Sequence, residues 1–516
     1  MQENYFNDAE EMERHLTTIG KQTGIVFTGK CFGYILGLIS NFVLARYYGP
    51  KVLGQYALVM VTVNIIGIFT IFGFNNGLAK YISRYRVTKQ TERLNEILKI
   101  AFTYSVLFSI FGAILLFLLK DIIAYRIFHD GSLVNCLVYG SWLIIPLTMI
   151  SVFNGLYRGF KQLQYPVISN IVISRIIFTM IIIAFALLKQ TNTPTIIGSL
   201  LFTQILVILY LISKVSTLKI DLKNIIFMHI NSTLKAKTFK KEFLTFSSTL
   251  ILISFMNIIL HRIDKIMLGI YMTSEIVGIY NIAVTVAGLT TFLLASTTMI
   301  FSSIISELFS VKKIKMLENL YSTITKWLII FTLPIVISIL FFADTILGFF
   351  GQAYTVGSAA LLILTLGQMI NVFVGANGSI LSMCGYERLL LINNILMATM
   401  NIILNAFLIP KYGILGAAIA TGVSIAVINI VRVFEVKHLL GIIPYNKEYF
   451  YIFINLSIIC LCSFIVKLYW NNIFSVILVT MMNMGISVGV SYYFKKEIDK
   501  IMIDKILAKI KNIAAK

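Results

Sequence analysis

Apolar stretches about 20 residues long, the length a helix needs to cross the hydrocarbon core of a bilayer, recur through this chain of 516 residues with only short polar breaks. The stretches 24–45, 55–77, 98–119, 133–156, 166–188, 196–213 and 243–268 read as spans. So do 278–305, 327–350, 358–383, 389–409, 414–431, 449–467 and 473–494. They predict an all-α integral membrane protein with about fourteen transmembrane helices. The composition agrees, with 58% hydrophobic residues, 13% charged and a mean hydropathy of +0.89. Soluble domains do not reach such values. The one long polar interruption is 214–242.

The spans fall into a repeat. Residues 44–56 read LARYYGPKVLGQY and residues 268–280 read LGIYMTSEIVGIY, so that Leu44, Tyr47, Gly54 and Tyr56 fall on Leu268, Tyr271, Gly278 and Tyr280. At nearly the same offset Asn154-Gly155 falls on Asn377-Gly378, and Asn170 on Asn393. A constant spacing over more than 100 residues argues for a duplication. The expected organisation is a tail 1–23, a first lobe 24–214 (spans 1–6), a basic linker 215–242 and a second lobe 243–438 (spans 7–12). Two extra helices follow in 439–494, then a tail 495–516. Six spans per lobe start both lobes from the same side, which makes the repeat parallel, a plan used by transporters whose halves rock about a central site.

The net charge of +21 is mainly a topology signal. The segments that share one side with the N-terminus hold 31 of the 43 Lys and Arg residues. By the positive-inside rule that side is the cytoplasm, and both termini are expected there, in a multi-pass protein of the cytoplasmic membrane. Nucleic acid is not an expected partner; membrane lipids are. The tail KKEIDKIMIDKILAKIKNIAAK sets isoleucines at helical spacing between lysines, consistent with a cationic amphipathic helix on the inner surface or with a solvated tail. The acidic first 23 residues lack the features of a cleaved signal peptide. Five scattered cysteines and five scattered histidines make no ligand cluster, so neither a disulfide framework nor a metal or other cofactor is expected.

GIVFTGK at 24–30 fits a phosphate-loop pattern, but Cys31 stands where Ser or Thr must ligate magnesium and no strand precedes it. A motif without its structural context is weak evidence, and direct ATP drive is not expected. Read as a helix, the same segment puts Lys30, Gly37 and Asn41 on one narrow arc, with Gly33 and Ser40 beside it. Such a face either lines a polar cavity or packs against another helix while Lys30 reaches the inner surface. Arg175, nine residues into its span, lies near mid-membrane and needs an anion, carbonyls or water. His261, Arg262, Asp264 and Lys265 form the densest ionisable cluster, either a self-satisfied ion-pair group or a site where Arg262 binds anions and Asp264 a coupling cation or proton. Asp344 has the same two readings. Asn371, Asn377, Asn393, Asn394, Asn401 and Asn405 could meet sugar hydroxyls, though bonds between helices are the commoner use.

Between Glu13 and Asp221 the carboxylates are Glu92, Glu96, Asp121 and Asp130, all outside the hydrocarbon or at its edge. The first lobe thus holds cations at depth and no buried acid, a polarity suited to an anionic head group such as a phosphate or pyrophosphate. The candidate cationic site comprises Lys30, Asn41, Arg175 and Arg262, with Asp264 and Asp344 as candidates for coupling to a proton or sodium gradient; the membrane potential is the other possible drive.

The stretch GKCFGYILGLISNFVLARYYGPKVLGQYALV resembles the opening of the polysaccharide transporter family, the Wzx-type oligosaccharide and O-antigen flippases of the multidrug/oligosaccharidyl-lipid/polysaccharide exporter superfamily. HRIDKIMLGIYMTSEIVGIYNIAVTV is similar to the start of that family's second lobe, and PKYGILGAAIATG to its junction of spans 11 and 12. The resemblance covers residues 20–494. It implies a flippase, not an enzyme, which moves a polyprenyl-linked oligosaccharide from the cytoplasmic to the outer leaflet, working beside polysaccharide polymerases or glycosyltransferases. Lipid II flippases carry cavity arginines in the first span where this chain has Tyr34 and Ser40, which favours a surface glycan over a peptidoglycan precursor. The rival readings are a cation-coupled multidrug exporter of the same fold and a membrane-embedded polysaccharide enzyme.

Overall fold

A computed structural model describes residues 28–29, 31–218, 220, 234–445, 449–470 and 472–493. The expected tails 1–23 and 495–516, the middle of the basic linker and Lys30 lie outside the described residues. Within them no strand occurs, and helix follows helix. The first helix, α1, runs over 31–48 and turns π-helical at Leu44–Tyr48. Then come α2 (Gly49–Ile71), α3 (Phe74–Val87), α4 (Thr91–Asp121), α5 (Leu133–Gly159), α6 (Gln164–Leu187) and α7 (Thr193–Ser213). Further on lie α8 (Leu234–Tyr271), α9 (Ser274–Ala287), α10 (Phe292–Ser310), α11 (Ile314–Phe350) and α12 (Ser358–Phe373). The series closes with α13 (Asn377–Met383), α14 (Glu387–Tyr412), α15 (Ile414–Leu440), α16 (Phe450–Tyr469) and α17 (Ile473–Tyr493).

Eleven helical stretches among the described residues are long and apolar enough to cross a membrane, or twelve with the bent pair Lys240–Met256 and His261–Tyr271. The count of fourteen is not reached by length and composition alone. One of the eleven, Cys31–Val87, is a continuous run of 57 residues. As one straight helix it would extend about 85 Å, nearly three times the hydrocarbon thickness of about 30 Å. It is divided where the sequence dictates: Gly49 takes φ 82° and Pro50 follows at the helix start. Ile454–Tyr469 is a shorter apolar helix.

The chain divides into two compact units, Met1–Asn281 and Ile282–Lys516. In the first, Phe74, Tyr81, Phe153, Tyr157 and Phe243 join one buried aromatic-rich core. In contrast, α4 exposes Leu107, Phe111, Ile114 and Leu118, one stripe at helical spacing. An exposed apolar stripe on a helix of this length fits acyl chains as its solvent. In the second unit, Trp327, Ile330, Leu333 and Ile337 of α11 pack with Tyr451, Ile452 and Ile459 of α16. The span expected from residue 327 begins earlier, since α11 starts at Ile314 and carries Lys326, which is buried there.

Candidate functional site

Arg175 sits two residues past Ile173, the end of a π-helical stretch, Ile168–Ile173, within α6. Wider π turns recur at functional sites because they re-aim the side chains that follow. Three glycines spaced four apart, Gly29 and then Gly33 and Gly37 of α1, receive three α6 residues with the same spacing. A Cβ on Gly29 would overlap Val167 Cγ1, one on Gly33 would overlap Ile171 Cγ2, and one on Gly37 would stand 3.2 Å from Arg175 Nη1. Small residues let helix backbones approach closely inside a bilayer, and here the last of them makes room for a guanidinium. The small face of α1 therefore packs against α6, and does so at the arginine. Beside it the hydroxyls of Ser40 and Thr179 lie 2.6 Å apart, and Thr179 Oγ1 donates to the Arg175 carbonyl at 2.7 Å. Asn41 is held on its own helix, with Nδ2 donating to the Gly37 carbonyl at 3.0 Å.

The charges of Arg175 and Arg262 both act on the phenol of Tyr56 on α2, whose ring stacks on Phe178 of α6 at 6.4 Å between centroids. Neither arginine forms an ion pair among the described residues. Two cations from two helices thus add to one positive field, which attracts an anion.

The carboxylate next to Arg262 is otherwise engaged. Asp264 is buried, and its Oδ2 accepts a hydrogen bond from the Tyr280 hydroxyl at 3.0 Å. Lys265 Nζ donates to Asn281 Oδ1 and feels the Asp264 charge. The repeat explains the register. Positions 224 earlier than Asp264, Lys265 and Tyr280 are Ser40, Asn41 and Tyr56. One copy carries a hydroxyl, an amide and a tyrosine facing arginines; the other carries a carboxylate, an ammonium and a tyrosine bound to the carboxylate. Asp344 lies in the second unit, exposed, two residues past Phe342, whose backbone is non-helical (φ −120°, ψ 27°).

Sequence reading missed two polar groupings. In the second unit α15 runs on to Leu440, so Arg432 and Glu435 stand on a helix and not in the loop expected after residue 431. Asn393 Nδ2 donates to Glu435 Oε2 at 2.6 Å, Arg432 Nη2 to Asn394 Oδ1 at 2.7 Å and Asn377 Nδ2 to the Asn429 carbonyl at 3.1 Å. In the first repeat the corresponding helix, at an offset of 223, has Leu206, Leu209 and Ile212 at the places of Asn429, Arg432 and Glu435. With no such partners there, Asn170 donates instead to Asn154, at 2.8 Å.

The second missed grouping centres on Asp130, in the turn before α5. Its carboxylate accepts from Ser274 Oγ at 2.6 Å, from Gln55 Nε2 at 3.2 Å, from the Ser132 amide at 3.1 Å and from the Ser132 hydroxyl. Thr193 Oγ1 donates to Gln55 Oε1 at 2.5 Å. Burial pushes the Asp130 carboxyl up, but the bonds from Ser132, Ser274 and Gln55 outweigh it and hold the carboxyl below its ordinary value. A cavity of about 610 Å³ adjoins, lined by Lys51, His129, Asp130, Tyr271 and Glu275 among others.

Repeat-related apolar helices long enough to cross a bilayer, with arginines on two of them and a carboxylate-poor first half, define a polytopic membrane protein. The chain belongs to the family described as "Polysaccharide biosynthesis protein", which matches residues 19–305, within the multidrug/oligosaccharidyl-lipid/polysaccharide exporter superfamily; a second description, "MatE", matches residues 244–407. The chain is similar to a probable low-salt glycan biosynthesis flippase, Agl15, of Haloferax volcanii, at 29% identity over 205 residues. That match covers 38% of this chain and 43% of the relative, less than half of its length. An uncharacterized membrane protein of Methanocaldococcus jannaschii, MJ1375, is 25% identical over 79% of this chain and 95% of its own. Among solved structures, the lipid II flippase MurJ in an inward closed conformation shares the fold at a TM-score of 0.70 and 17% identity, covering 91% of this chain and 98% of that one. An inward-facing multidrug resistance MATE transporter follows at 0.60 and 14% identity, covering 79% of this chain and 94% of that one.

Proposed function

We propose that this chain flips a polyprenyl-(pyro)phosphate-linked oligosaccharide across the cytoplasmic membrane by alternating access, supplying cell-surface polysaccharide synthesis. The observation that carries this reading is the Arg175 guanidinium, set against Gly37 on the small face of α1 and without an ion pair among the described residues. A phosphate there takes charge-assisted hydrogen bonds from a forked donor. The polyprenyl tail stays in the bilayer. The family membership and the glycan flippase among the relatives support the substrate class. Polymerases or glycosyltransferases are the expected partners on the outer and inner sides. A multidrug exporter driven by cations needs a carboxylate free to hold the ion, whereas Asp264 accepts a hydrogen bond from Tyr280.

The test is flipping of a fluorescent polyprenyl-pyrophosphate oligosaccharide in proteoliposomes. Wild type flips the lipid, and Arg175→Ala and Arg262→Ala lose at least tenfold in rate, since a hydrogen bond to a charged group is worth about 1.5–3 kcal/mol. The same vesicles, energised in turn by a proton gradient, a sodium gradient and a membrane potential, show which one drives the step. Export of cationic dyes without flipping of the glycolipid overturns the reading.

A further inference from the structure

We infer that a cavity beside the break between α2 and α3 is a subsite for an uncharged saccharide ring of the transported head group; the inference rests on the flippase reading above. At the end of α2, Phe72 (φ 51°) and Gly73 (φ 70°) are left-handed in succession. Such a conformation is costly for phenylalanine and persists where the surroundings impose it. What imposes it here is α8, since a Cβ on Gly73 would overlap the Ser247 carbonyl.

Between α2, α5, α8 and this break lies a cavity of about 260 Å³. That is less than the roughly 300–1,000 Å³ of sites that engulf a drug-sized ligand, and it suits one ring of a larger one. Asn64, Asn75, Thr148 and Ser254 line it, with Val63 and Ile258 among its apolar walls, and no charged residue takes part. Amides and hydroxyls on aliphatic walls complement a pyranose, which presents hydroxyls at its rim and C–H groups on its faces. A cation finds no carboxylate there and an anion no guanidinium. A lipid chain would meet four polar groups and leave their remaining hydrogen-bonding capacity unused, although Asn64, Asn75 and Thr148 each already hold one bond to Met60, Asn76 and Thr70.

The position relative to the arginines is what makes the cavity a subsite. Ser254 and Ile258 precede Arg262 on α8 by eight and four residues, and Asn64 follows Tyr56 on α2 by eight. Eight residues span at most about 12 Å along a helix. Two of the three helices that carry these residues, α2 and α8, therefore also line the cavity, two turns further along α2 and across the bend of α8. A pyrophosphate at Tyr56 would place the sugar attached to it within reach of Asn64 and Ser254.

The experiment is equilibrium binding by the purified full chain in detergent, with two probes: a polyprenyl pyrophosphate bearing one N-acetylhexosamine, and the same lipid without sugar. Wild type is expected to bind the sugar-bearing lipid about tenfold more tightly, the worth of one or two well-placed hydrogen bonds. Asn64→Leu and the milder Ser254→Ala erase that preference without changing affinity for the bare lipid, whereas Arg175→Ala weakens both. Equal binding of the two lipids by wild type, or a preference that survives in a folded Ser254→Ala, overturns the subsite and leaves the flippase reading standing. Binding of neither lipid by wild type overturns the flippase reading itself, and the subsite with it.

Discussion

Gly54 and Gly278 pack against each other as equivalents of one repeat. A Cβ on Gly54 would overlap the Ser274 carbonyl oxygen, and a Cβ on Gly278 would overlap that of Pro50. Ser274 and Pro50 are themselves related by the offset of 224 that relates the glycines. The crossing of α2 and α9 is thus isologous: each helix presents the same patch to the other, as across a two-fold axis. The duplication read from sequence is present as contact geometry.

Backbone cannot retreat from a new methyl as a flexible side chain can. Gly54→Ala and Gly278→Ala are each expected to destabilise the protein by about 1–3 kcal/mol or more, read as a lower apparent Tm in detergent. Gly198, where a Cβ meets nothing within 4 Å, serves as the tolerant control.

Gly37 offers a finer probe. Its Cβ position lies 3.2 Å from Arg175 Nη1, the end of a flexible side chain. Gly37→Ala should fold normally yet slow flipping by displacing the guanidinium. In the Arg175→Ala background the same change should have no further effect, a non-additivity that marks two residues acting through one group.

Asp130 makes stability depend on pH. Its folded carboxyl titrates below its ordinary value, so the carboxylate is favoured in the folded chain. That stabilisation is complete above the unfolded carboxylate range and is lost as pH falls through the lower folded value. Wild type should therefore lose apparent Tm on acidification more steeply than Asp130→Asn. At neutral pH Asp130→Asn should already be less stable, by about 1–3 kcal/mol for donors left poorly matched.

In the second unit Glu435 accepts from Asn393 and its charge acts on Arg432, while Arg432 Nε is buried without a partner among the described residues. Glu435→Ala should lower apparent Tm by the equivalent of about 3 kcal/mol, because it leaves a half-buried cation uncompensated. Glu435→Ala combined with Arg432→Leu, the residue at the matching place of the first repeat, should recover much of that loss.

The sequence by itself determined the helical membrane architecture and the register of the repeat. Those properties are one-dimensional. A bilayer obliges each span to satisfy its backbone within one helix, so length and hydropathy mark it, and a duplication keeps its register. The sequence also marked Lys30, Gly37 and Asn41 as one face of α1, without saying what that face meets. Only the tertiary structure set Gly37 against Arg175, bonded Asp264 to Tyr280 and bonded Lys265 to Asn281. Likewise, the extension of α15 that carries Arg432 and Glu435 ran against their charge, which reads as a loop until Asn393 and Asn394 are seen beside them. Residues 138 apart along the chain, as Gly37 and Arg175 are, are brought together by how helices rotate and pack, and no local pattern encodes that choice.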